Sequence, residues 1–156
     1  GPLGRREDEG DGVAMARTLL CEIVTPERII YTNEVEMVIA PTLDGEIGIL
    51  PLHAPLVTVL RAGELRVRYN DNKDVEWFAV SGGYLQVHED KVIVLADAAE
   101  HASRVDVERA RRAKELAEQR MADLKEKPLM ERTELDECEA DLKWCELQLQ
   151  VAERRA

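Results

Sequence analysis

The hydrophobic period of this chain changes near residue 100. Up to Ala99, apolar residues alternate with polar ones in short runs such as Leu65–Tyr69, and turn residues such as Asp44-Gly45 separate the runs. A period of two is typical of strands with one buried face. After Glu100, apolar residues recur every three or four positions, as they do on one face of a helix. The sequence therefore predicts an N-terminal all-β domain followed by a helical one.

Nine strands are predicted, at spacings of about 8–12 residues that are typical of a β-sandwich or barrel. The segment Gln86 to Ile93 predicts a hairpin with a two-residue Glu89-Asp90 turn. Ser81-Gly82-Gly83 predicts another hairpin turn, one that needs positive φ. The predicted strands are Thr18–Val24, Arg28–Tyr31, Val35–Ala40, Glu46–Leu50, Leu56–Leu60, Leu65–Tyr69, Val75–Ser81, Tyr84–His88 and Val92–Leu95.

Two helices are predicted to form an antiparallel hairpin. Ser103 and Asp106 resemble a capping box at the start of the first helix, which should end near Lys127-Pro128. Thr133 with Asp136 predicts the second cap. The apolar face of the first helix is Ala110, Ala113, Ala117, Met121 and Leu124, and that of the second is Leu135, Cys138, Leu142, Cys145, Leu149 and Ala152.

The first helix face is mostly alanine, which buries little apolar area. Because stabilisation scales with that area, we expect the hairpin to be the part of the protein that detaches most easily.

Composition excludes several classes of protein. The chain has 156 residues and a net charge of −11, which argues against nucleic-acid binding. Its apolar runs are far shorter than the ~20 residues of a transmembrane helix. The three cysteines, Cys21, Cys138 and Cys145, contain no C-x-x-C pair and indicate a reducing compartment without a zinc ribbon.

The sequence offers no catalytic constellation. His53, His88 and His101 have no partner at metal-ligand spacing, and neither a G-x-S-x-G elbow nor a phosphate-binding loop is present. We therefore expect a non-catalytic protein without a metal, which acts through its surfaces.

Gly1-Pro2-Leu3-Gly4 resembles the remnant of a cleaved fusion tag, and residues 1–14 are interpreted as that remnant or as a short disordered extension. The proposed domains are then 15–101 for the β-sandwich and 102–156 for the hairpin.

The first helix is the basic element of an acidic chain. Arg104 to Lys127 contains eight basic and six acidic residues, whereas Arg17 to Glu100 contains seven basic and fourteen acidic ones. Two interpretations stay open: an ordinary solvated helix face, or a face that approaches an acidic partner.

Three stretches resemble one known family. Gly45 to Leu56 resembles G-E-x-G-x-x-P-x-H-A-P-L, Val80 to Val87 resembles S-G-G-x-x-x-V, and Val92 to Glu100 resembles V-T-V-L-A-D-x-A-E. On these motifs the chain is identified as a member of the epsilon subunits of F-type ATP synthase. The resemblance implies a ten-stranded β-sandwich with a helical hairpin. It also implies a non-catalytic central-stalk subunit that binds gamma and the c-ring and transmits rotation.

The resemblance also implies two contact surfaces. Contact with the c-ring or gamma is expected at Glu46, Leu50, Leu52, His53 and Leu56. The hairpin is expected to extend and inhibit ATP hydrolysis. It would meet the alpha and beta catalytic subunits through Arg109, Arg111, Arg112 and Lys114.

ATP is a candidate regulatory ligand, and no other cofactor is expected. Val105 to Ala110 resembles the motif [I/L]-D-x-x-R-A of ATP-binding members, so the candidate ATP residues are Glu100, Asp106, Arg109 and Ala110. The arginines that such members add farther along fall at Leu116, Glu146 and Gln150, which should weaken binding. The alternative is that Asp106 and Arg109 only cap and brace the hairpin.

The implied location is the cytoplasmic face of the bacterial plasma membrane, reached only through the complex, with the plastid thylakoid as the alternative. Two alternative functions stay open: a stand-alone ATP-sensing module, and a helical-hairpin clamp that binds other proteins.

Overall fold

The computed structural model describes residues 17–126 and 132–155. The predicted tag remnant at 1–14 and the predicted helix end at Lys127-Pro128 lie outside these residues.

Ten strands form a single sheet that folds over on itself. Their spatial order is β10-β7-β6-β3-β5-β8-β9-β1-β2, and β4 pairs with the remaining edge of β3. All pairs are antiparallel except β1 with β9. The strands are β1 (Leu19–Val24), β2 (Ile29–Val35), β3 (Met37–Thr42), β4 (Gly45–Ile49), β5 (Leu56–Leu60), β6 (Gly63–Tyr69), β7 (Asp74–Val80), β8 (Gly83–His88), β9 (Lys91–Ala96) and β10 (Ala99–His101).

The folded sheet encloses one apolar core, to which nearly every strand contributes alternate residues. Fully buried examples are Cys21, Val38, Leu65, Phe78, Leu85 and Val94. Strand β2 at one end of the sheet lies against β6 and β10 near the other end, so the core is closed on most sides. The predicted β-sandwich is confirmed.

Strand β10 was missed because it has only three residues, too few for alternation to show. Its Ala99 pairs with Val80 and its His101 with Phe78, so it extends the sheet beside β7. The predicted single strand Val35–Ala40 is also wrong. Val35 ends β2, which pairs with β1 over its whole length, and β3 begins at Met37.

Of the two predicted hairpins, one is confirmed. His88 pairs with Lys91 across Glu89 and Asp90, whose φ values of 50° and 58° match a type I′ turn. Gly82 and Gly83 do have positive φ, but β7 and β8 are not paired, so this turn is a crossover between strands rather than a hairpin.

The C-terminal helices are α1 (Val107–Lys125) and α2 (Arg132–Ala152), preceded by a single 3-10 turn at Ala102–Arg104. Asp106 caps α1, since its Oδ1 accepts from the Arg109 N–H at 3.1 Å. Ser103 therefore belongs to the 3-10 turn and does not cap α1 as predicted. Thr133 lies inside α2, so the second predicted cap is also misplaced.

The hairpin seam follows the predicted period. Helix α1 buries Ala110, Ala117 and Leu124, and α2 buries Cys138 and Cys145 together with Val151. The hairpin is held against the outer face of β7 by a second, smaller apolar cluster. That cluster contains Ala79, Ala102, Val105, Val151 and Ala152, with Trp77 and Trp144 at its margin.

Candidate functional site

The loop after β4 presents two exposed leucines. Leu50 is 54% and Leu52 is 69% exposed. Leu52 also has a φ of 68°, a conformation that strains a leucine backbone. The loop is held in place because the Leu52 N–H donates to Asp90 Oδ1 at 2.6 Å and the His53 N–H donates to the Leu50 carbonyl at 3.1 Å. Leu56, in contrast, is half-buried and packs against the core.

Residues with positive φ are concentrated near this loop. The non-glycine residues with positive φ in residues 17–126 and 132–155 are Leu52, Asn70, Asp71, Asn72, Glu89 and Asp90. The Glu36 carboxylate fixes the turn after β6, because it accepts from the N–H groups of Asp71 and Asn72 at 3.1 and 2.7 Å. Strained residues that the surroundings hold in place are typical of contact sites.

Glu46 lies apart from these leucines. It is near the start of β4 and Leu50 directly follows the end of that strand, so the two are about 13 Å apart along it. Glu46 Oε2 lies 3.5 Å from Arg66 Nη1. The five predicted docking residues thus form two groups, and a partner that touches both must span β4.

The four predicted ATP residues are brought together. Glu100, Asp106, Arg109 and Ala110 all line a cavity of about 600 Å³ between the two helices and the end of the sheet. Arg104, Arg120 and Trp144 line it too. Glu100 lies 3.6 Å from Arg28, and Asp106 is occupied as a helix cap. Three arginines thus line this cavity, and the carboxylate of Asp141 lines it with them.

The residues that replace the family's extra arginines are divided between two cavities. Leu116 lines the cavity just described, whereas Glu146 and Gln150 line a second one of about 460 Å³. Glu146 is 4.0 Å from Lys114, which lines the second cavity as well. Glu146 therefore does not add negative charge to the cavity that contains Arg109.

The four predicted basic residues do not form one patch. Arg111 and Lys114 line the second cavity, while Arg109 lines the first. Arg112, three residues after Arg109, lies on the same side of α1 as Arg109. Arg111 is neutralised locally by Glu108 at 3.1 Å. Among the described residues 17–126 and 132–155, Arg109 and Arg112 are the two of these four that lie in no ion pair.

A candidate surface that sequence reasoning missed lies on the outer face of β5, β8 and β9. Val57, Val59, Tyr84 and Leu95 are all exposed there. Val59 pairs with Tyr84, and Tyr84 pairs with Leu95, so the side chains are direct cross-strand neighbours. The sequence signal was β5, in which every position of both faces except Thr58 is apolar, a pattern typical of strands covered on both faces.

A partly buried polar cluster lies at the end of the sandwich where the hairpin begins. His101 Nε2 bonds Glu76 Oε1, and its Nδ1 accepts from the Ser103 N–H at 3.0 Å. The His101 ring stands edge-on to Phe78.

Burial, with Glu76 nearby, raises the pKa of Tyr31 above its usual range. Burial also raises the pKa of the Cys21 thiol to about 12 and raises that of Cys145.

In residues 17–126 and 132–155, no group of three or more His, Cys, Asp or Glu side chains is placed to hold a metal ion. No helix in these ranges is long and apolar enough to cross a membrane.

The family model for the ATP synthase delta/epsilon chain β-sandwich domain matches residues 18–102, more than half of the chain. The chain belongs to this family. The epsilon chain of Desulforamulus reducens is 50% identical over 109 residues, covering 69% of this chain and 80% of that one. The epsilon chain of Dehalococcoides mccartyi is 46% identical over 137 residues, covering 88% and 94%. The resemblance to epsilon subunits is therefore confirmed.

Two solved structures contain a chain with the same fold as this one. A chain of the Euglena gracilis mitochondrial ATP synthase, solved as OSCP/F1/c-ring, superposes with a TM-score of 0.67 at 22% identity, covering 94% of this chain and 86% of that one. A chain of the Tetrahymena thermophila mitochondrial ATP synthase, solved as central stalk and c-ring, superposes with a TM-score of 0.53 at 16% identity. The match covers 89% of this chain and 99% of that one.

Proposed function

We propose that this protein is the central-stalk epsilon subunit of a bacterial F-type ATP synthase, which couples rotation to ATP synthesis without catalysing it. The observation that carries the proposal is the identity of about 50% to bacterial epsilon chains over roughly two thirds of the sequence. The subunit is peripheral, on the cytoplasmic face of the plasma membrane, and reaches the membrane only through the complex. The sandwich, 15–101, is the docking domain, and the hairpin, 102–156, is the regulatory one.

The exposed apolar face of β5, β8 and β9 is proposed as the gamma contact. Its aromatic and β-branched side chains, with Tyr84 at the centre, are typical of the buried core of a protein interface. The opposite outer face of the sandwich is already covered by the hairpin. A rotor subunit must be held firmly to the shaft, and this face supplies contiguous apolar area.

The strained loop with Leu50, Leu52 and His53 is proposed as the contact with the c-ring, together with Glu46 at the other end of β4. The loop supplies apolar contact, and Glu46 supplies a charge for a basic loop of the ring. Because Leu56 packs into the core, it supports this loop rather than touching the partner.

The hairpin is proposed to detach from the sandwich, extend along gamma and inhibit ATP hydrolysis. Its support is the small apolar cluster that holds it on β7, since little buried area separates the two states. In the extended form Arg109 and Arg112 meet acidic groups of the alpha and beta subunits.

Regulation by ATP is a second candidate function. The cavity of about 600 Å³ favours it, because three arginines and the Trp144 ring line one space large enough for a nucleotide. Titration calorimetry with ATP tests this function. Saturable heat that is lost in Arg109→Gln supports it, and no heat at millimolar ATP removes it.

The main proposal is tested by co-purification. The full chain, expressed with its own gamma subunit, should elute as a one-to-one complex in size-exclusion chromatography. Separate elution of the two chains at micromolar concentration would refute the central-stalk assignment.

A further inference from the structure

Trp77 packs against two arginines that come from different parts of the chain. The Arg66 guanidinium carbon lies 5.1 Å from the ring centroid and that of Arg154 lies 4.5 Å from it. Arg66 is the cross-strand neighbour of Trp77 on β6, whereas Arg154 follows the end of α2. The Trp77 ring thus makes cation–π contacts with one arginine of the sandwich and with one arginine at the end of the hairpin.

Each arginine has its own carboxylate. Arg154 donates to Glu64 through both Nε and Nη2, at 3.2 and 3.1 Å, in a bidentate pair. Arg66 Nη1 lies 3.5 Å from Glu46 Oε2. The pair of Glu64 with Arg154 ties the end of the hairpin to β6, and the pair of Glu46 with Arg66 ties the start of β4 to the same strand.

Glu64 is within reach of both arginines. Glu64 and Arg66 are two residues apart on β6 and therefore lie on the same face of the sheet, about 7 Å apart. An extended arginine side chain spans that distance. In the structure the carboxylate paired with Arg66 is that of Glu46, at 3.5 Å.

We propose that Arg66 couples Glu46 to the anchor of the hairpin, so that a basic partner which binds Glu46 loosens the hold of Glu64 and Trp77 on Arg154. The identity of that partner as the c-ring rests on the function proposed above. When Glu46 turns to a partner, the charge of Arg66 repels Arg154 across their shared ring and competes for Glu64. The docking state of the sandwich is thereby transmitted to the regulatory hairpin.

The coupling is tested in the isolated full chain, with no partner present. Glu46→Gln imitates the loss of the Arg66 partner, and hydrogen exchange of residues 147–155 reports release of the hairpin end. We expect this exchange to accelerate about two- to fivefold, the range for an exposed ion pair. In the Arg66→Gln background the same Glu46→Gln change should have no effect, because the competing cation is gone.

Two further variants calibrate the measurement. Glu64→Gln removes the anchor itself and should accelerate exchange whichever residue occupies position 66. Glu22→Gln breaks the pair with Lys91 at 3.2 Å on β1 and β9 and should leave the hairpin end unchanged.

Either of two results overturns the coupling: Glu46→Gln leaves the exchange of 147–155 unchanged, or its effect persists in the Arg66→Gln background. Both concern contacts within one chain, so they leave the gamma co-purification test untouched. If the co-purification test failed, the identity of the partner of Glu46 would be lost, but the coupling measured within the chain would still hold.

Discussion

The Cys138 thiol donates to the carbonyl oxygen of Ala117 at 3.1 Å. A side chain of α2 therefore reaches the backbone of α1 directly, which is only feasible because residue 117 has no more than a methyl group. Close approach of helix backbones through alanine gives tight contact with little buried apolar area. We therefore expect the hairpin to be closely packed but weakly stabilised.

Enlarging this position should separate the helices. Ala117→Leu puts three extra carbons into the Cys138 contact, and overpacking of this kind costs about 1–3 kcal/mol. We expect faster hydrogen exchange throughout α1 and α2, with exchange in β6 and β9 unchanged. Leu116→Ala, at a neighbouring position that is 66% exposed, is the matched control and should change little. Equal exchange in Ala117→Leu and the unmodified chain would contradict weak, close packing.

Gly83 should tolerate no side chain. A Cβ there would lie 2.0 Å from the Leu95 carbonyl oxygen, on top of the strain of a φ of 127°. Gly83→Ala should therefore lower the free energy of unfolding by more than about 3 kcal/mol in urea denaturation.

Gly45→Ala separates the cost of positive φ from the cost of a steric contact. Gly45 also has positive φ, but a Cβ there meets nothing within 4 Å. Gly45→Ala should therefore lower the free energy of unfolding only by the conformational cost of positive φ, about 1–2 kcal/mol. Equal losses in the two variants would mean that backbone strain, and not the contact with Leu95, requires glycine at position 83.

The order of the elements could be predicted from hydrophobic period and turn residues, but several of their junctions could not. Strand β10 has three residues, and its existence depends on pairing with β7, a tertiary contact that local alternation does not encode. The Gly82-Gly83 turn was recognised by its need for positive φ, yet only the sheet order reveals that it is a crossover. Local chemistry determines the turn, and distant pairing determines what it connects.

The candidate sites were predicted to different degrees. The ATP residues were found together because Glu100, Asp106, Arg109 and Ala110 are close in sequence, so that local geometry places them. The cluster on Trp77 was invisible in the sequence, since it joins residues 46, 64, 66, 77 and 154 from three strands and the segment after α2. Contacts of long sequence separation need the fold before they can be recognised.

The apolar face of the sandwich should be essential for binding gamma. Tyr84→Asp places a charge at its centre, where Tyr84 is 57% exposed and its loss need not disturb the core. A residue at the centre of an interface contributes about 2 kcal/mol, so affinity for gamma should fall about thirtyfold. Calorimetric titration with gamma measures this. Ile29→Asp, at another exposed apolar residue on β2, should bind normally, and a similar loss in both variants would place the contact elsewhere.

Cys21 should make the sandwich sensitive to alkaline pH. Burial raises the pKa of its thiol to about 12 in the folded chain, whereas an unfolded thiol has a pKa of about 8.5. Between these values the unfolded chain binds fewer protons than the folded one, so stability falls as pH rises. The contribution of the Cys21 thiol to the free energy of unfolding is fully present below about pH 8.5 and is lost progressively toward pH 12. By pH 10.5 the loss is about 2–3 kcal/mol at 1.36 kcal/mol per unit.

Urea denaturation at pH 7.5 and 10.5 measures this loss, and Cys21→Ala isolates it. The variant has a lower stability at both pH values because it leaves a small cavity. Between the two pH values, the free energy of unfolding should decrease less in Cys21→Ala than in the unmodified chain. The difference between the two decreases is the contribution of the Cys21 thiol. Cys145, whose pKa is also raised by burial, lies in the hairpin, so Cys145→Ala should leave the pH dependence of sandwich unfolding unchanged. An identical pH dependence in Cys21→Ala and the unmodified chain would show that the thiol does not remain protonated in the core.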